Sequence, residues 1–109
     1  MQEIIEQAKK LGEMIAAHER TIALKEMEKV LEGDQVARDL LQEYQKQAER
    51  MQNLEHSGKP IEVDDKHKMR DLEQKMALND TLKKITAKQV DFVEMMNKVK
   101  TEIDSFIQM

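Results

Sequence analysis

A chain of 109 residues with 39% apolar content is sized for one domain, 1–109, with a core of its own, and its zero cysteines exclude a disulfide framework, a thiolate metal or iron–sulfur site and a thiol nucleophile. Eighteen Lys and Arg against 22 Asp and Glu leave a net charge of -4 with the signs interspersed, and one Tyr and two Phe offer little to stack on bases, which argues against direct nucleic-acid binding. No run of about 18 apolar residues and no secretory-type leader is present, so the expectation is a cytosolic protein with no membrane partner.

Helix-forming residues dominate and β-branched runs are missing, so the period to test is about 3.6. In the first segment Ile4, Ala8, Leu11 and Ile15 fall on one stripe with Ile5 at its margin. Ala8, Gly12 and Ala16 make a ridge of small side chains spaced by four, suited to close packing of another helix. A weaker stretch, Arg20 to Glu32, carries Leu24, Met27 and Leu31. It stops at Gly33, read as a left-handed helix end, and Asp34, read as the cap of the next helix.

The third helix, Gln35 to His56, places Ala37, Leu40, Leu41, Tyr44, Ala48, Met51 and Leu54 in one arc, about 33 Å long at 1.5 Å per residue. Gly58 finishes it, and Pro60 forbids continuation because it lacks an N–H and holds Lys59 extended. The chain must turn there into a helical hairpin. Glu62, Asp64 and Asp65 then meet the positive end of a fourth helix, Val63 to Leu78, which has only Met69, Leu72 and Met76 as a stripe.

After a junction at Asn79 and Asp80, the last helix, Thr81 to Ile107, is the clearest signal in the chain. Leu82, Ile85, Gln89, Phe92, Met96, Val99, Ile103 and Phe106 step by three and four, as heptad positions do. With Met95, Val93 and Ile107 the apolar face spans roughly 160°, wide enough to touch two neighbours. Met95 and Met96 are adjacent and cannot share one direction, so at least one faces a second neighbour, whereas Met69 and Met76 read as core.

The predicted fold is all-α: an antiparallel bundle of about five helices, the third and last being long. Wide apolar arcs on a chain this small would stay partly exposed in a monomer. An oligomer is therefore expected, most simply a two-fold dimer built on Ile85, Phe92, Met95, Met96, Val99, Ile103 and Phe106 of the last helix.

Chemistry-bearing residues are few. His67 has Asp64 and Asp71 on its helical face, which reads as a solvated surface; no Glu-x-x-His exists for a di-metal bundle. His18 and His56 lie near helix ends, where imidazole suits terminal carbonyls. Ser57 and Ser105 sit in no nucleophile elbow. The expectation is no enzyme, no cofactor, no metal and no small-molecule substrate.

The run "AKKLGEMIAAHERTIALKEMEKVLEGDQVARDLLQEYQKQAERMQ", then "SGKPIEVDD", then "LEQKMALNDTLKKITAKQVDFVEMMNKV", resembles the YlbF/YmcA family of bacterial regulators, which includes YheA-like members, over nearly the whole chain. The resemblance implies a small, helical, oligomeric accessory factor. It implies as partners a second copy, a sibling helical subunit or an RNase, with RNase Y and the control of competence, sporulation and biofilm formation as the setting. Some relatives bind iron–sulfur clusters through cysteines, and with none here that cofactor does not carry over. At the starts of the third and last helices, Gln35 and Thr81 or Asp80 stand where the family often has proline. The function expected is thus a non-enzymatic helical adaptor. The competing readings are a nucleic-acid- or nucleoid-associated protein using Lys83, Lys84, Lys88, Lys98 and Lys100, and a coiled-coil scaffold without a regulatory role.

Overall fold

The computed structural model describes residues 1–108, so Met109, the last residue of the expected domain, lies outside the described residues. Five α-helices follow one another: α1 Gln2–Ala17, α2 Glu19–Glu32, α3 Gln35–His56, α4 Val63–Leu78 and α5 Asp80–Ser105. No strand occurs among the described residues. The bounds of α3 and α4 are those expected. The last helix begins at Asp80 rather than Thr81 and ends at Ser105 rather than Ile107, because the N–H groups of Phe106 and Ile107 turn back to the carbonyls of Ile103 and Asp104 in a tighter closing turn.

The chain divides into two compact units, one Val30–Lys84 and the other Met1–Lys29 together with the chain from Ile85 onward. In the first, α3 and α4 form an antiparallel hairpin. Gly58, with φ +71°, is the one residue of positive φ among those described. Its N–H donates to Glu55 O at 3.1 Å and that of Lys59 donates to Leu54 O at 2.9 Å, the paired bonds of a Schellman close. Pro60 follows and the chain reverses.

At the other end of this unit, Asp34 caps α3: its Oδ1 accepts the Ala37 N–H at 3.0 Å. Its Oδ2 accepts the Thr81 hydroxyl at 2.6 Å, joining the starts of α3 and α5. Asn79 caps α5 through the Leu82 N–H at 2.9 Å. Gly33 does not take the left-handed conformation expected of it. Its N–H and that of Asp34 reach back three residues, to Val30 O and Leu31 O, so α2 closes by tightening and needs no αL residue.

Ala37, Leu72 and Leu82 are buried in this unit, and Leu40, Tyr44, Met51, Leu54, Met69 and Met76 are half-buried around them. In the other unit Ile85 and Thr21 are buried, while α1 has no buried residue at all. The α1–α2 break falls on His18, whose ψ of 143° takes it out of the helix. Its Nδ1 accepts the Arg20 N–H at 3.1 Å. The imidazole thus caps the start of α2, where the sequence reading had it suiting the terminal carbonyls of α1.

Candidate protein-interaction surface

Burial falls steadily along α5. Leu82 and Ile85 are each 5% exposed, Phe92, Met95, Met96 and Val99 are half-buried, and Ile103 and Phe106 reach 49% and 84%. Of the residues expected to face a partner, Ile85 is therefore spent on the chain's own core. The others keep part of their apolar surface in water. Met95 and Met96 are half-buried alike.

α1 goes further. Leu11 and Ile15 are half-covered, but Ile4 is 67% exposed and the rest of its stripe is open as well. The Ala8, Gly12, Ala16 ridge is exposed, and apart from the backbone of α1 itself nothing lies within 4 Å of a Cβ built at Gly12, so within the described chain no helix is seated there. Gly58 and Pro60, the remaining residues singled out from sequence, are exposed at the hairpin turn.

One anchor fixes α2 against α5. The Arg20 guanidinium donates to the main-chain carbonyl of Asp91 at 2.9 Å and lies 3.6 Å from the Glu94 carboxylate. Lys98 stands 3.2 Å from the same carboxylate. Lys98 and then Arg20 hold the Glu94 carboxyl below its ordinary range. Of the five lysines considered for nucleic acid, Lys84 and Lys98 are paired with acids one turn away, Asp80 and Glu94.

A second face of α5, beyond Val93 and Gln89, was not singled out from sequence. Thr86, Val90, Val93, Asn97 and Thr101 line an open groove of about 760 Å³, with Val90 and Val93 60% and 52% exposed. Its centre lies roughly 120° round the helix from that of the heptad stripe, with Val93 at the margin of the apolar face already expected. The signal was present as a four–three–four–four spacing, but three of its five members are polar and the stronger stripe hid it.

The other residue missed is Asp65, read only as an acid at a helix start. It is buried, with Oδ1 accepting Arg50 Nε–H at 2.9 Å and Gln47 Nε2–H at 3.2 Å. Gln47 also donates to the Asp65 main-chain carbonyl at 3.1 Å. Arg50 first, then Gln47, draw the Asp65 carboxyl below its ordinary range, against the opposing pull of desolvation. The signal available was Gln47, a polar residue inside the apolar arc of α3.

Over residues 4–108 the chain matches the family described as "Control of competence regulator ComK, YlbF/YmcA". It belongs to the YlbF/YmcA family. This is a bacterial family of regulators. The crystal structure of Bacillus subtilis RicA in complex with RicF superposes with a TM-score of 0.83 at 22% identity, over 96% of this chain and 93% of that one. No curated protein sequence matches significantly. As a YlbF/YmcA member the chain is a helical regulator, and among its described residues no helix is long and apolar enough to cross a membrane.

Proposed function

We propose that this protein is a non-enzymatic adaptor that self-associates and binds other proteins through the apolar faces of α1 and α5. The observation that carries the reading is α1: a helix with a continuous apolar stripe and no buried residue. Burying apolar surface is worth about 25 cal/mol per Å², and single helices of this length are marginal in water, so an uncovered α1 would lack most of what holds such a helix together. A second chain supplies it.

The preferred partner class is a sibling helical subunit, supported by the pairing of RicA with RicF in the similar structure. Through such partners the protein acts on RNase Y-dependent RNA processing and on competence, sporulation and biofilm control, the setting the family implies. The chain works in the cytoplasm. A tagged pull-down from a bacterial lysate at about 150 mM salt, which screens exposed charges beyond roughly 8 Å, tests the partner. Stoichiometric recovery of a second YlbF/YmcA chain is expected. Recovery of the protein alone would overturn the hetero-partner half of the reading.

A further inference from the structure

The unit that holds α1 and the length of α5 from Ile85 onward leaves two long surfaces bare. One is the stripe of α1, where Ile4, Ile5 and Ala8 are exposed and no residue of the helix is buried. The other is the groove along α5, with Val90 and Val93 toward its middle and Thr86 and Thr101 toward its ends. α1 is 16 residues long and Thr86 to Thr101 the same, so each surface runs about 24 Å at 1.5 Å per residue. Within the described chain neither covers the other. In a two-fold pair of copies both are covered at once, because whatever the first chain offers the second receives, and the reverse.

The amount of exposed surface fixes what kind of chain can cover it. The accessible surface is 8879 Å². A globular monomer of 12.8 kDa exposes about 6300 Å², and two separate globules of half that mass about 7600 Å². Even against the larger figure roughly 1300 Å² is in excess. A stable interface removes about 800 Å² from each partner, and obligate interfaces remove more. A compact folded partner has no such excess of its own to hide, whereas a second copy carries the same excess on the same surfaces. The bulk of the side chains permits the contact as well. Ala8 and Gly12 add little to the face of α1, and apart from that helix's own backbone nothing stands near a Cβ at Gly12, so the valines of the groove can come close.

We propose that the groove of α5 receives α1 of a second copy, and that the contact is reciprocal, each of the two chains placing its α1 on the α5 of the other. This seating deepens the self-association proposed above and rests on it. Ile4, Ile5 and Ala8 then leave water against Val90 and Val93. Ala8 and Val93 lie near the midpoints of the two surfaces, so they meet whichever way the helices run.

The cysteine-free chain permits a direct test. Two single variants, Ala8→Cys and Val93→Cys, both at exposed positions, are co-expressed with different tags, purified through both tags in turn and treated with a short bismaleimide. A covalent dimer carrying both tags is expected. It should be lost when Ala8→Cys is replaced by Glu6→Cys, which puts the thiol on the opposite, exposed side of α1. Sedimentation of the same unlinked preparations separates this proposal from the reading beneath it. A mass of twice 12.8 kDa with no mixed-tag link, with links only between like variants, or with Glu6→Cys linking as well as Ala8→Cys, would overturn the seating and leave self-association standing. A 12.8 kDa monomer would overturn both.

Discussion

Asp65 shows how one side chain can set the pH behaviour of a helical hairpin. Its carboxylate accepts from Arg50 and Gln47 of α3 while it sits in the first turn of α4. The folded-state carboxyl is held low, so the stabilisation is present above the ordinary carboxylate range, near pH 4, and is lost as pH falls through that range toward the lower folded value. Melting curves between neutral pH and pH 3 should show this as a falling midpoint. Asp65→Asn should melt lower at neutral pH and lose less on acidification. At Gly58 the left-handed backbone predicts that Gly58→Ala costs about 1–2 kcal/mol. Gly12→Ala meets no neighbour in the chain and should stabilise α1 by up to about 1 kcal/mol. What sequence could not supply for Asp65 is the partner: a period of 3.6 assigns a residue to a face but says nothing of which side chain on the next helix will meet it.

Among the elements, α3 and α4 were legible to the residue because their limits are chemical and local. Asp34 caps, Gly58 and Pro60 close and turn the chain, and Asn79 caps again. The break near His18 was legible as the gap between the first stripe and the weaker stretch from Arg20, but the bond that fixes it was not, since the Arg20 N–H meets the imidazole only once the break exists. Gly33 was read as left-handed on residue type alone, whereas the three-residue reach of the α2 end made that conformation unnecessary. Burial separates the leucines of α4: Leu72→Ala should cost about 2–5 kcal/mol in denaturant unfolding, while Leu78→Ala, at 80% exposure, should stay within about 0.5 kcal/mol. Asp34→Ala removes both the α3 cap and the Thr81 link. Hydrogen exchange should therefore quicken at Ala37 and in the first turn of α5 while the middle of α3 stays protected.

For the molecule as a whole, the helical class and order followed from composition and spacing, while the family followed from segments recurring in order along the chain. The proposed interaction surface was only partly legible: the heptad stripe of α5 was visible, but its first turns serve the chain's own core and the exposed share lies toward Ile103 and Phe106. The central claim is that the protein self-associates, a second copy covering these surfaces and α1. Sedimentation equilibrium of the purified protein at micromolar concentration tests it most directly. The account predicts a mass at least twice the 12.8 kDa of one chain, falling toward 12.8 kDa in an Ile4→Asp, Phe106→Asp variant that keeps its helical content. A wild-type protein that sediments as a 12.8 kDa monomer would contradict it.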